Sequence, residues 1–348
     1  MRMKPARSLA FLASVVAMGL GLGGGDLAAK PKPPPIEAPP PPPMPPPMPD
    51  VGLSERFVRD AAAYESYMRE ASAISADFGD PVAVADSLRR GVAYEPGQFQ
   101  RGEVAYAAIA ALQDRAFVAA VRAAGQTPEA RYTVVGQIFA NPANALTFTD
   151  GPVAAGLAKQ ALAEGGLRLF NAGVSVRRYA YDVQHQPWSH GDVADRESRL
   201  SAVKQLSVTS RSVSADEEDQ LRAAAVGQVV AGAQRPAAPP YSPLVIRATA
   251  LAALAAIGQA GDDMVDRLSW LSEDYFTEHC LGHAKRELNE CLAVAKPNYE
   301  DIFCLGQPTM MYTGECVLRG ADATAPLDIL TRPIPIPPLH ASRRRRHG

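Results

Sequence analysis

Residues 280–316 read CLGHAKRELNECLAVAKPNYEDIFCLGQPTMMYTGEC and contain all four cysteines of the chain. The segment 263–295 reads as one helix, closed before Pro297. On such a helix Cys280 and Cys291 are about 16 Å apart at a rise of 1.5 Å per residue. A disulfide needs its α-carbons within about 7 Å, so a 280–291 bridge is excluded. Eleven residues make close to three turns, so both helix cysteines face the same way. Tyr299–Cys304, launched by Pro297, returns antiparallel and meets Cys291 before the chain reaches the level of Cys280. The expected pairs are therefore nested, Cys280–Cys316 and Cys291–Cys304, with the crossed pairing as the alternative. An even cysteine number in an exported chain makes disulfides the default chemistry.

Outward from this hairpin the rest of the body also reads as helix. Alternating β-branched runs are nearly absent and alanine is abundant. Ser54 opens a helix expected to run to about Phe78, with Phe57, Ala61, Tyr64 and Met68 on one face. Further helices are expected over Pro81–Arg90, Gly97–Gln113, from an Asp114 cap, and over 128–139 behind Thr127-Pro128. Asp150 opens a long helix, which the pair Gly165-Gly166 is expected to break before 167–186. Then come Ala194–Leu206, a Ser/Thr-rich joint at Ser207–Ser214, and a capping box at Ser214-Ala-Asp-Glu217 whose helix runs to about Gln234. The proline-marked joint Pro236–Pro243 is the expected domain boundary, followed by a buried helix Leu244–Ala260 closed by Gly261. The fold class is all-α: a multi-helical domain over 53–234 and a helical, disulfide-containing region over 244–330.

Two arms flank this body. Residues 1–29 carry Arg2, Lys4 and Arg7, then an uncharged apolar run and small residues before Lys30, the pattern of a signal peptide cut after Ala29. An uncut leader would instead anchor the chain. Residues 30–52 form a proline-rich linker, with 13 of the 31 prolines between Pro31 and Pro49, and proline excludes both helix and sheet there. Polyproline II at about 3.1 Å per residue suits a spacer. Residues 331–348 are a basic tail, expected to be disordered, that ends in Arg343–Arg346.

A formal charge of −2 excludes a chain built around a nucleic-acid-neutralising surface. Cleavage removes three basic residues and Asp26 and takes that charge to −4. No nucleic-acid partner is expected, and membrane contact only through an uncut leader or the arginine tail. The expected partner is an envelope protein or a cell-wall component.

Three places are candidates for chemistry. In 178–192, Asp182 and His185 stand three residues apart on a helix ending before Pro187, so the carboxylate can orient the imidazole for general-base work, with His190 beyond the turn. The competing reading is a packed corner, with Trp188 filling a gap and Asp192 capping the next helix. Glu65 is the second candidate. His279 and His283 flank Cys280 at helical spacing and form a weak metal candidate, set against export and the even cysteine count. No Walker loop, HExxH, CxxCH, GxSxG or dinucleotide fingerprint occurs, and no cofactor is expected.

Three resemblances bear on these readings. The cysteine hairpin resembles, in outline, the nested twin-cysteine hairpins of the coiled-coil-helix family, though its spacings of ten, twelve and eleven residues depart from that family's nine. Glu65-Ser66, in AAAYESYMREAS (61–72), resembles the glutamate–serine pair of lytic transglycosylases, helical envelope enzymes with one catalytic acid. The glycine-rich continuation and the tyrosine motifs of that family are missing. YDVQHQPWSHGDVADR (181–196) and CLAVAKPNYEDIFCLG (291–306) resemble segments of uncharacterised exported helical proteins of alphaproteobacteria, which implies a location and no activity. The expectation is an exported, periplasmic or secreted, non-catalytic binding or scaffold protein of the cell envelope. The alternative is an envelope hydrolase using Glu65 or the 181–192 cluster.

Overall fold

The computed structural model describes residues 48–226 and 236–325, and among them there is helix and no strand. The chain runs α1 (Glu55–Ser72), α2 (Pro81–Val92), α3 (Pro96–Ala111), α4 (Arg115–Ala124) and α5 (Pro128–Ala140). After a 3₁₀ segment at Pro142–Thr147 come α6 (Gly151–Val183), the single turn α7 (Pro187–His190), α8 (Arg196–Leu206) and α9 (Ala215–Ala225). The last group is α10 (Pro243–Ala256), α11 (Val265–Ser272), α12 (Tyr275–Val294), α13 (Asn298–Cys304) and α14 (Tyr312–Gly320).

Local chemistry starts most of these helices. The side chains of Ser54, Asp80, Asp114, Thr127 and Ser242 each accept from an amide of the first turn. Ser214 and Glu217 form the full reciprocal capping box. One apolar core runs from Phe57 to Ala321 and includes nearly the whole of α10, which packs against α3 and α6. The joint 236–243 is thus a break between helices, not between cores. The body also starts earlier than Leu53: Arg122 donates to the Pro49 carbonyl (3.0 Å) and Gly52 to that of Ala255 (3.2 Å).

Several expected boundaries move. α1 ends at Ser72. The segment 263–295 is two helices, because Asp274 caps α12 by accepting from Thr277 N (2.9 Å), yet both cysteines still lie on α12. α10 ends before Gly258 (φ +66°) rather than Gly261, closed by Gln259 N–H donating to Leu254 O (2.8 Å). α6 is continuous over 33 residues, so the glycine pair does not break it. A Cβ at Gly314 would lie 2.7 Å from Phe170 N and 2.8 Å from Gly166 O, so glycine here permits close helix approach. The leader (1–29), most of the linker, the Gln234 helix end and the tail (331–348) lie outside the described residues.

The stapled hairpin is nested: Cys280–Cys316 and Cys291–Cys304, with α-carbons 5.7 and 5.8 Å apart. Its second arm is unbroken, because α13 and α14 are joined by a π-helical segment, Leu305–Met311, around Pro308. Pro308 has no amide to offer Cys304 O, and the Thr309 hydroxyl donates to that carbonyl instead (3.0 Å). Among the described residues no single helix is long and apolar enough to cross a membrane.

Candidate functional site

Helical periodicity on two helices builds a cleft of about 320 Å³. α1 presents Tyr64, Glu65, Met68, Arg69 and Ser72 to it, α6 presents Ala161, Gly165 and Arg168, and Tyr106 of α3 closes the end. Gly165 keeps the wall low. A Cβ there would stand 3.5 Å from Met68 Cε and 3.6 Å from Tyr64 Oη.

The polar groups of the cleft have unequal surroundings. Glu65 is half-buried, and burial pushes its carboxyl up even though Arg69 donates to it at 2.8 Å. Arg69 also donates to Glu217 of α9 at 2.5 Å. Glu217 goes the other way, held down to about 2, chiefly by the Ser214 amide of its capping box. Tyr64 Oη and Ser72 Oγ are buried and have no hydrogen-bond partner in the protein. Arg168 is exposed, and its nearest carboxylate, Glu164, is 4.0 Å away. The cleft therefore offers one carboxyl inclined to hold its proton, one loosely engaged cation and two tyrosine rings, with two uncommitted hydroxyls buried in its wall.

The other sequence candidates are not gathered here. Ser66 points away from Glu65, a rotation of about 100° on a helix, and bonds Arg211 (3.0 Å) and Glu70 (3.4 Å). Asp182, His185 and His190 are all exposed, and His190 sets its ring edge-on to Tyr299. The corner around them is tied by local bonds. Ser189 Oγ donates to the carbonyl of Val183, and Asn298 Nδ2 donates to those of Gly191 (2.7 Å) and Trp188 (3.3 Å). The cap of α8 is Asp195, accepting from Ser198 N (3.1 Å), while Asp192 pairs with Pro297 in an isolated bridge. His279 and His283 are exposed beside Cys280, whose sulfur is held in a disulfide, and among the described residues no group of three ligands is arranged to hold a metal.

Sequence reasoning missed two buried ionisable side chains. Both oxygens of Glu103, on α3, lack a partner, and burial together with Asp274 drives this carboxyl well up. Lys285, on α12, donates to Val92 O (2.6 Å) and lies 3.4 Å above the Tyr94 ring, and burial drives it well down. The only sequence signal for Glu103 was a single charge in the apolar run GEVAYAAIAA (102–111).

The fold and the cleft define an all-α, disulfide-stapled protein with a small mixed polar–aromatic site, suited to an oxidising compartment. Comparison with family models, with curated proteins and with solved structures finds no match.

Proposed function

We propose that the chain is an exported helical binding protein of the cell envelope and that the α1/α3/α6 cleft holds its ligand. The observation that carries this reading is the pair of buried hydroxyls, Tyr64 Oη and Ser72 Oγ, left without protein partners in a cleft beside Arg168. Unpartnered buried hydroxyls are costly, and a ligand towards which they turn out of the wall recovers that cost. The complementary ligand is a small hydroxylated molecule with a carboxylate, the chemistry of an acidic cell-wall sugar. Its carboxylate meets Arg168 and its ring lies against Tyr106. Export is supported by the two disulfides, by the leader pattern over 1–29 and by the proline-rich spacer; periplasmic residence follows if the leader is cut.

Calorimetric titration of the mature chain with N-acetylmuramic acid and its peptide-bearing forms tests this. Binding should be lost in Arg168→Ala and weakened in Tyr106→Ala. Absence of binding, or binding indifferent to both substitutions, refutes the assignment.

A second reading has its own observation. Glu65 is pushed up by burial while Glu217, across the shared Arg69, is held at about 2, the kind of split that separates an acid from a base. On that reading the cleft hydrolyses glycan with Glu65 as the acid. Release of soluble fragments from purified cell wall, abolished by Glu65→Gln, would favour hydrolysis over simple binding.

A further inference from the structure

The two disulfides are chemically equivalent and structurally unlike. Cys280–Cys316 spans the groove between α12 and α14 like a rung. One cavity, of about 480 Å³, lies on the side of the α12 N-terminus, bounded by Ser242, Phe276, Thr277 and His279. Another, of about 470 Å³, lies towards Glu287 and Tyr312. Cys280, His283, Cys316 and Arg319 line both. Cys280 is partly exposed, whereas Cys316 is 2% exposed. At the rim Tyr275 and Phe276 stand 73% and 81% exposed, aromatic surface that the described body leaves uncovered.

Cys291–Cys304 lies under a clamp. Arg196 of α8 donates to the carbonyls of Ala295 (2.7 Å) and Ala293 (2.9 Å), on the turn this bridge closes. Arg199 bonds the Leu292 carbonyl and the buried Asp301 carboxylate. Cys304 is fully buried and Cys291, like Cys280, is partly exposed. The two arginines of α8 thus hold the turn on which this bridge sits.

We propose that Cys280–Cys316 is an exchangeable disulfide, a site of reaction with a dithiol, while Cys291–Cys304 is a permanent staple. A donor thiolate attacks Cys280 Sγ, forming a mixed disulfide and expelling Cys316 as a thiolate into the groove that Arg319 lines. The donor's second thiol then attacks its own sulfur in the mixed disulfide and releases Cys280. Two electrons and two protons pass to the protein, and the donor leaves as a disulfide. The cavities on both sides of Cys280–Cys316 and the arginine clamp on the turn of Cys291–Cys304 separate the bridges, because exchange needs a line of approach to a sulfur and room for the helices to part. The fold survives the opening. α14 remains seated on α6 through Gly314 and Gly166, and α12 remains tied by Lys285 to Val92, by the Arg247–Asp274 ion pair (3.0 Å) and by the inner bridge. Opening thus frees the α12/α14 groove without unfolding the body. This site is separate from the Glu65 cleft and does not depend on its ligand.

The test is differential alkylation of the intact native protein during timed exposure to dithiothreitol, and in parallel to a reduced dithiol protein of the thioredoxin type. Labelled Cys280 and Cys316 are counted by mass spectrometry against Cys291 and Cys304, with far-UV circular dichroism followed throughout. The expected result is opening of Cys280–Cys316 at least about tenfold faster than Cys291–Cys304, with the helical signal retained. Earlier opening of Cys291–Cys304, or opening of both at comparable rates or only as the helical signal is lost, would overturn the proposal.

Discussion

Glu103 allows the interior of this protein to be tested by pH alone. The residue is fully buried on α3 with no partner for either oxygen, and Asp274 adds a repulsive neighbour. Its folded-state carboxyl is therefore raised well above the 4.5 of a free glutamate. Below pH 4.5 both folded and unfolded chains hold the proton, and Glu103 costs no ionisation energy. As pH rises, the unfolded chain loses the proton and the folded chain keeps it, so stability falls until the folded value is reached. A single retained proton gives a slope of about 1.4 kcal/mol per pH unit.

Glu103→Gln preserves the shape and removes the titration. The gap in unfolding free energy between Glu103→Gln and the native chain should therefore widen in favour of the variant by about 2 kcal/mol between pH 5.0 and 6.5. Using the difference cancels every other titrating group that the two proteins share. Urea unfolding followed by circular dichroism at four or five pH values measures it. Parallel stability curves would refute the reasoning, because a partnered or solvated Glu103 has a nearly normal carboxyl in both states. A difference of opposite slope would mean that the folded protein prefers the carboxylate, and that a cation faces it.

Other substitutions probe other contacts. Arg199→Ala leaves Asp301 alone at a site where burial already raises its carboxyl to about 6, and stability measured by urea unfolding should drop by about 3–5 kcal/mol; a loss under about 1 kcal/mol would count against a buried pair. Lys285→Met removes an amine that burial keeps from taking up a proton, so the variant should gain on the native chain as pH falls from 10 to 8, where the unfolded lysine is protonated and the folded one is not. Gly165→Ala meets only ordinary contacts at 3.5 Å and should stabilise the mid-helix position by about 0.5–1 kcal/mol, whereas Gly166→Ala meets Gly314 O and Leu318 Cγ at 3.0 Å and should destabilise by about 1–3 kcal/mol. Thermal melts of the two alanine variants should shift in opposite directions.

What was legible in the sequence was local. Ser54, Asp114, Thr127 and Ser214 start helices in the structure because a cap needs only a side chain and an amide two or three residues on. The nested disulfides were legible because helix rise and turn fix where two cysteines on one helix can reach. The break before α12 was not, since Asp274 caps from inside an otherwise helical run. The cleft was half legible. Glu65 stood out, but Arg168 lies a hundred residues away and joins it only through the packing of α6 on α1. The burial of Glu103 and Lys285 is wholly tertiary. Nothing within four residues of either fixes which helices cover it.

The glycine pair of α6 shows most clearly why local reading stops where it does. Two adjacent glycines read as a helix break, since each weakens helix by up to about 1 kcal/mol relative to alanine. In the folded chain they face different partners, because neighbours on a helix are turned by about 100°. Gly165 faces Met68 and Tyr64 and keeps the cleft open, while Gly166 faces Gly314 and Leu318 and lets the stapled arm approach. At Gly166 the propensity lost is offset by close backbone packing, whereas at Gly165 it is not offset, and glycine there leaves cleft volume instead. One helix therefore forms a wall of the candidate ligand site and the seat of the disulfide hairpin. The same seating holds α14 in place when the Cys280–Cys316 rung is open, so the redox chemistry proposed for that rung requires Gly166 to be a contact and not a break.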